Sequence, residues 1–156
     1  MSAAEVEVNE ETGAVKILQY VSLIDVGRTI HRQLCEAQNE GGAMQGPGPA
    51  FFEALISENG QLRNANLIDY RVPVFEDLPE TFVTVFLEDA NGPGPYGAKG
   101  GGESGTLCAA PAVSNTIARA IGVCLHELPM TPERVWKALR EASREQPRYT
   151  IESKKP

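Results

Sequence analysis

A stretch rich in glycine and proline, residues 92–103, sets the main constraint on how this chain folds. It reads GPGPYGAKGGGE and holds six of the chain's 15 glycines. Glycine weakens helices and strands because its backbone loses the most freedom on folding, and proline lacks the N–H that both structures need. We therefore expect a loop here, preceded by a strand and followed by helices, and the loop ends on a carboxylate, Glu103.

The residues before this loop predict strands. Val6 and Val8 alternate with glutamates, and the turn-forming residues 10–13 precede the apolar run AVKILQYVSLID, which together predict a β-hairpin. The segment TFVTVFL, residues 81–87, alternates as a strand with one buried face does. Gly27 follows the long strand and suits a sharp change of direction there.

Three helices are predicted, with apolar residues spaced three and four apart. The first begins near Cys35, breaks at residues 46–49 and resumes through Leu55, because glycines and prolines interrupt it. The second follows Pro111, and the third begins at Thr131, whose hydroxyl suits a helix N-cap. The intervening residues 57–80 predict a turn and short extended pieces. The order β-β-α-β-β-α-α indicates an α+β fold.

Composition predicts a single domain with an acidic surface. The 156 residues are 42% hydrophobic, enough for one core, and the formal net charge is -7 with a pI near 4.9. Nucleic-acid binding needs clustered Lys and Arg, which the sequence lacks, so no nucleic-acid partner is expected. No apolar window of about 18 residues and no secretion signal is visible, so we expect a cytoplasmic protein without a membrane span.

Cysteine and histidine spacing predicts no metal site made of protein side chains. Cys35, Cys108 and Cys124 are odd in number and form no CxxC pair, so reduced and mostly buried thiols are expected. His31 and His126 have no Cys or Asp nearby at the spacing of a ligand set.

Two nucleotide-binding motifs match the glycine loop only formally. The pattern GxGxxG occurs at residues 92–97, but the prolines inside it offer no N–H to a pyrophosphate and no helix start follows. A P-loop needs Gly-Lys-Ser/Thr where this chain has AKG. Two interpretations remain: a flexible surface loop with a solvated Glu103, or a bare backbone against which a bulky ligand lies. A carboxylate buried at such a place has a raised pKa and acts as a general base near neutral pH.

Four motifs, in order along the chain, resemble those of one enzyme family. The segment GPYGAKGGGE and the helix after it are similar to the signature GPFGAKGVGE, and QNEGGAMQG is similar to the cofactor segment GQxEGGxxQG. NGQLRNANLIDYRVPVFEDLPE resembles DGxxxNxNLxDYxxPxxxDxP, and VSLIDVGRTI resembles VxxxDxGxxxNP. The family is that of the molybdenum hydroxylases, which includes xanthine dehydrogenase, aldehyde oxidase and carbon monoxide dehydrogenase-like members. The likeness covers about residues 4–140.

The resemblance implies a fold and roles for particular residues. It implies the C-terminal part of the molybdenum-binding large subunit, a two-layer α/β sandwich with a mixed sheet over residues 1–146, followed by a polar tail at 147–156. Glu103 matches the catalytic base of a water-derived hydroxylation. Gln38 matches the glutamine that contacts the cofactor, and Gly101 and Gly102 match its backbone neighbours.

It also implies a cofactor and partners. Molybdenum would be held by the sulfurs of a molybdopterin, plain or in dinucleotide form, which agrees with the lack of a side-chain ligand set. Iron–sulfur clusters and FAD would lie on partner chains or domains, and the substrate would be an aldehyde or an N-heterocycle. Lys99 matches a family lysine that either stabilises the loop or contacts the cofactor, and Tyr70 is interpreted as a packing aromatic.

Length and local departures from the family pattern leave a second hypothesis open. Family members carry several times more chain before this region, so the polypeptide is expected to be incomplete and inactive on its own. His31 and Arg32 stand where the family has Asn-Pro, and Pro47 and Pro49 stand at usually apolar positions. The alternative function is therefore a non-catalytic remnant that serves as a binding or subunit-assembly module.

Overall fold

A three-stranded mixed sheet forms the centre of the fold. The computed structural model describes residues 1–145. Strands β1 (Ser2–Val8) and β2 (Val15–Asp25) form the predicted antiparallel hairpin, whose turn is closed by Gly13 at a φ of 74°. A pair of two-residue strands, β3 (Ser57–Glu58) and β4 (Gln61–Leu62), forms a small separate hairpin at the predicted turn.

Strand β5 (Thr81–Leu87) completes the main sheet in parallel with β2. The register runs from Gln19 opposite Thr81 to Asp25 opposite Leu87, so both strands end at the same edge of the sheet. The bounds of β5 are those predicted from its alternation. Because β2 pairs antiparallel with β1 and parallel with β5, the prediction of a mixed sheet in an α+β fold is confirmed.

Helices cover one face of this sheet. They are α1 (Arg32–Gln45), α2 (Pro47–Phe51), α3 (Ser104–Leu107), α4 (Ala109–Ile121) and α5 (Pro132–Glu145). Short 3₁₀ turns occur at Phe75–Asp77 and Pro95–Gly97. The core between the layers includes Tyr20, Val113, Ile117, Met130 and Val135, all nearly inaccessible to solvent. The opposite face of the sheet is only half covered, as expected for two layers.

The first predicted helix differs from the observed one at both ends. It begins at Arg32 because His31 caps it, with Nδ1 accepting from the N–H of Leu34 at 3.2 Å. The break at residues 46–49 is confirmed, since Pro47 starts the separate helix α2. That helix ends at Phe51 rather than Leu55, because the N–H groups of residues 52 and 53 both turn back to the carbonyl of Gly48.

Close helix packing explains two glycines, Gly46 at the end of α1 and Gly105 in α3. A Cβ added at Gly46 would lie 2.2 Å from the Cβ of Ala109, and one at Gly105 would lie 2.7 Å from the carbonyl oxygen of Asn39. Real side chains do not approach so closely, so these glycines let α1 contact α3 and the start of α4 backbone to backbone. The cost of glycine in a helix is offset here by tertiary packing.

The prediction that the cysteines are mostly buried was wrong, although all three are free thiols. Cys35 and Cys108 are half-buried, and Cys124 is exposed in the segment after α4. Cys124 lies beyond the end of α4, because Gly122 adopts a left-handed φ of 74° and terminates the helix. The predicted tail at 147–156 lies outside the described residues. Within residues 1–145, no helix is both long enough and apolar enough to cross a membrane.

A buried polar network joins the sheet to α1. Asn39 is 1% exposed, and its Oδ1 accepts from the hydroxyl of Ser22 on β2 at 3.0 Å. Its Nδ2 donates to the hydroxyl of Thr84 on β5, also at 3.0 Å. Because a buried amide is costly without partners, this network fixes the position of α1 over both parallel strands.

Replacing Asn39 by leucine should therefore destabilise the domain by about 2–3 kcal/mol, since the buried hydroxyl of Ser22 and the half-buried hydroxyl of Thr84 lose their partner. Urea unfolding followed by circular dichroism would measure the change. Glu40→Leu, on the exposed face of the same helix, serves as the control and should stay within about 0.5 kcal/mol of the wild type. Equal stability of the two variants would contradict this role for Asn39.

Candidate functional site

The turn that ends β2 holds the glycine loop in place. Gly27 pairs with Ala98 in an isolated antiparallel bridge, and the N–H of Lys99 donates to the carbonyl of Val26 at 2.8 Å. The N–H of Arg28 donates to the carbonyl of Gly97 at 3.2 Å. Gly27 has a φ of 58° and would clash with that carbonyl if it carried a Cβ, so the expectation of an unusual backbone angle is confirmed.

An ion pair reinforces this junction. The ammonium group of Lys99 lies 2.5 Å from Oδ2 of Asp25, and both side chains are partly exposed. The hydrogen bond from Lys99, helped by one from the N–H of Gly27, lowers the pKa of the Asp25 carboxyl. Of the two roles considered for Lys99, the structure supports stabilisation of the loop.

The first half of the glycine loop is bare because the backbone folds onto itself. A Cβ at Gly92 would lie 2.3 Å from the carbonyl oxygen of Ala98, and one at Gly97 would lie 2.3 Å from that of Ala90. Gly97 also adopts a φ of 80°. The prolines fit this compact elbow, in which Pro95 starts a 3₁₀ turn. Residues 92–97 therefore have an internal structural reason for their glycines.

In the second half of the loop, Gly100 and Gly102 are not required by close contacts within the described chain. A Cβ at Gly100 or Gly102 would meet nothing within 4 Å, and neither residue has a left-handed φ. Within residues 1–145, the N–H groups of Gly100, Gly101 and Gly102 donate no hydrogen bond. Bare backbone with unpaired donors, beside open space, is what a ligand in direct contact with the main chain requires.

Glu103 stands at the end of this open half. It is the N-cap residue of α3, and its side chain makes no capping hydrogen bond, although its carbonyl accepts from the N–H of Thr106 at 3.0 Å. The side chain is exposed. The carboxylate is therefore positioned by its backbone and is available to a group outside the described chain.

Gln38 reaches this point from α1. Its Nε2 donates to the carbonyl oxygen of Gly102 at 3.1 Å, across 64 positions of sequence. Gly101 lies behind the contact, with its Cα side against Val26. The structure thus brings together all four residues singled out in the sequence, Gln38, Gly101, Gly102 and Glu103, at the edge where β2 and α1 meet the glycine loop.

Two residues that sequence reasoning missed hold Gln38 in this position. Asn39, its neighbour, is fixed by the buried network and contacts Gly105. Thr106 donates from its hydroxyl to the carbonyl of Gly42 at 2.9 Å. The only signal in the sequence was their position, Asn39 inside the motif QNEGGAMQG and Thr106 just after GPYGAKGGGE. The two prolines that depart from the family pattern lie beyond the end of α1, so they leave Gln38 undisturbed.

The site has no side-chain metal ligand set. Among the described residues, no group of three or more His, Cys, Asp or Glu side chains could hold a metal ion. What this edge offers is an amide side chain, unpaired backbone donors and a carboxylate. Such groups suit a polar organic ligand that lies against the main chain.

Comparison with known proteins decides the family. The profile described as "Molybdopterin cofactor-binding domain" matches residues 1–79, about half of the chain. The chain belongs to this family. The predicted relation to the molybdenum hydroxylases is confirmed, and a molybdopterin cofactor is the ligand of such domains.

Relatives of this molybdopterin cofactor-binding domain are much longer. The chain is 36% identical over 142 residues to the "6-hydroxypseudooxynicotine dehydrogenase complex subunit gamma" of Paenarthrobacter nicotinovorans, covering 87% of the chain and 18% of the relative. It is 35% identical over 125 residues to the "Putative xanthine dehydrogenase molybdenum-binding subunit XdhA" of Escherichia coli K12, covering 79% and 16%. The chain therefore spans about a sixth of these relatives.

A solved structure supports the fold. The aldehyde oxidoreductase of Desulfovibrio gigas superposes with a TM-score of 0.79 and 30% identity, covering 88% of the chain and 15% of that protein. The mixed sheet with helices on one face is thus the architecture of a molybdopterin cofactor-binding domain.

The ion pair at the loop generates a test. Because the pKa of Asp25 is lower in the folded chain than its ordinary value, the carboxylate stabilises the fold above about pH 4 and loses this contribution as the pH falls through its folded pKa. Lys99→Met should raise the pKa of Asp25 toward its ordinary value, as measured by ¹³C NMR titration. Lys137→Met, which removes the partner of Glu133 instead, is the control. An unmoved Asp25 titration in Lys99→Met would rule out the ion pair.

Proposed function

We propose that this chain supplies one side of the molybdopterin site of a hydroxylase of the xanthine dehydrogenase and aldehyde oxidase type, with Glu103 as the general base. The observation that carries the proposal is the meeting of Gln38, Gly102 and Glu103, which come from two distant motifs and lie beside open, bare backbone. A flexible surface loop would not be tied by an ion pair, a β-bridge and several backbone hydrogen bonds.

The residues at this edge fit a pterin cofactor. Gln38 and the N–H groups of Gly101 and Gly102 would hold it, because a large heterocycle with many polar atoms needs donors at close range and no intervening side chains. The absence of a side-chain metal ligand set among residues 1–145 agrees with a metal held by the cofactor's own sulfurs. No residue between 1 and 145 fills the space over Gly100 and Gly102.

In this role, Glu103 acts as the proton acceptor. When bound, the molybdenum cofactor supplies the two-electron oxidant and the site of oxygen transfer. The Glu103 carboxylate takes up the proton released as the new carbon–oxygen bond forms, and the rigid turn beneath it fixes its distance from the reacting atoms. Its carboxylate is exposed in this chain alone, so the cofactor and the remainder of the subunit must cover it.

We further infer partners and a substrate class. The matched region is only about a sixth of the relatives, and one of them is named as a subunit of a complex, so this chain would act with the remainder of a molybdenum-binding subunit and with iron–sulfur and flavin chains. Aldehydes and N-heterocycles are the proposed substrates, because similar proteins are named for aldehyde and xanthine oxidation. The cofactor form is proposed to be a molybdopterin, plain or dinucleotide, and the location cytoplasmic.

The base is tested in a chimeric subunit in which this chain replaces the matching region of E. coli XdhA. Glu103→Gln should lower hydroxylation of xanthine or an aldehyde by about 10²–10⁴-fold, because a general base contributes about that much. Molybdenum content should stay the same. Unchanged turnover in a molybdenum-loaded Glu103→Gln chimera would eliminate the role of Glu103. A folded chimera that binds no molybdopterin would favour the alternative of an assembly module.

The open half of the loop is tested separately. Gly102→Val should leave the thermal unfolding of the isolated chain unchanged, since an added side chain meets nothing there, yet it should reduce molybdopterin bound by the chimera. Gly97→Ala is the matched control and should destabilise the isolated chain by about 1–3 kcal/mol because its φ is left-handed. Normal cofactor content in Gly102→Val would show that the ligand lies elsewhere.

A further inference from the structure

Residues 55–78, called the apolar segment below, expose large apolar side chains to solvent. Leu67 is 80% exposed, Ile68 is 92% exposed and Phe75 is 83% exposed. Other apolar side chains of the segment are also open to solvent, namely Leu55, Ile56, Leu62, Val72 and Val74. Soluble monomers rarely expose a contiguous apolar patch of this kind, so the surface needs a specific explanation.

Polar side chains hold the first part of the segment in a fixed shape. Asn64 is buried, accepts from the N–H of Ile56 at 2.8 Å and donates to the carbonyl of Ala54 at 2.5 Å. Asn66 caps the next turn, with Oδ1 accepting from the N–H groups of Ile68 and Asp69 at 2.9 and 3.2 Å. Apolar side chains thus face outward from a backbone that polar groups have already ordered.

The second part of the segment is tied to the two residues that follow α2. The hydroxyl of Tyr70 donates to Oε2 of Glu53 at 2.6 Å, and this hydrogen bond, with partial burial, raises the pKa of Tyr70. The carboxylate of Glu53 occupies the place where a Cβ of Gly48 would stand. Arg71 donates to Asp77 at 2.9 Å and stacks over the ring of Phe52 at 4.2 Å. Tyr70 is therefore fixed in place by one polar anchor.

Two adjoining grooves cross this surface. One, of about 620 Å³, runs between α1 and residues 70–78 and includes Gly41, Glu53 and Tyr70 in its walls. The other, of about 220 Å³, lies beside Leu55, Leu67 and Tyr70, so Tyr70 separates the two. Gly41 lies one helical turn from Gln38 on α1, which places the larger groove next to the proposed cofactor edge.

We propose that the apolar segment is the surface on which the remainder of the molybdenum-binding subunit docks. This inference rests on the proposed function. The relatives carry about five-sixths of their length outside the matched region, which provides the partner. Docking beside Gln38 would seat that partner against the open side of the glycine loop, where the cofactor must be enclosed. The ordered backbone lowers the entropic cost of association.

A second copy of this chain is the competing occupant, and the position of the surface argues against it. If two copies of this chain associated through the apolar segment, the cofactor edge of one copy would face the cofactor edge of the other. Both sides of the cofactor site would then come from the same chain. The segment is bordered by the same α1 face that carries Gln38, so a partner seated there also reaches the cofactor edge. The proposal therefore commits to the remainder of the subunit.

Cysteine labelling tests the proposal directly. Ile68→Cys is made in the full isolated chain and in the XdhA chimera, and modification by N-ethylmaleimide is followed on the peptide that carries residue 68 by mass spectrometry. We expect labelling to slow by at least about tenfold in the chimera, because a docked surface reacts only through local opening. Glu11→Cys, in the exposed β1–β2 turn, is the control and should react equally in both. Equal labelling of residue 68 in both proteins would overturn the proposal.

A charge substitution gives an independent measurement. Leu67→Asp should leave the melting temperature of the isolated chain unchanged, because the side chain is exposed. In the chimera, the same substitution should reduce the yield of soluble protein to zero. Leu67→Met, the conservative variant, should restore it. A soluble Leu67→Asp chimera would contradict the proposal. A second contradicting result has two parts: the isolated chain forms a dimer that Leu67→Asp dissociates, and residue 68 stays reactive in the chimera.

Molybdopterin content separates this inference from the proposed function. A chimera that protects residue 68 but binds no molybdopterin would support docking and refute the cofactor role. A chimera that binds molybdopterin while residue 68 remains fully reactive would support the cofactor role and refute docking.

Discussion

The close contact between α1 and the start of α3 and α4 is the constraint on which the site depends. Gly46 and Gly105 remove the side chains that would otherwise separate these helices, and the Thr106 hydroxyl then reaches the carbonyl of Gly42. A larger residue at either glycine would move α1 away from the glycine loop, and Gln38 would lose its hydrogen bond to Gly102. The buried amide of Asn39 fixes the orientation of α1 in this contact, because it forms hydrogen bonds to both parallel strands.

The glycine loop consists of two functionally distinct halves. In residues 92–97 the missing side chains allow a compact elbow, and Gly27 and Lys99 fasten that elbow to the end of β2. At Gly100 and Gly102 they leave open space that no side chain of the described residues fills. The same residue type therefore serves internal folding in one half and, on our proposal, ligand contact in the other.

Much of the fold followed from local patterns, because strands with one buried face and helices with caps carry that information in adjacent residues. The alternation at residues 81–87 predicted β5, and Thr131 with Pro132 marked the start of α5. The start of α1 did not follow, because its N-cap is the ring nitrogen of His31, which is not a usual N-cap residue. The exposure of Cys124 depended on where α4 ends, and the exposure of Glu103 depends on neighbours that lie outside this chain.

The parallel pairing of β2 with β5 has a thermodynamic consequence for ligand binding. Parallel neighbours need a long crossover, and here residues 26–80 must be ordered before β5 can lie beside β2 and deliver the loop that follows it. The loss of chain entropy that brings Gln38 to Gly102 is thus compensated by burial of the hydrophobic core during folding. A ligand that binds afterwards meets hydrogen-bond donors that are already in place. Its binding free energy is therefore not reduced by the entropic cost of ordering those donors.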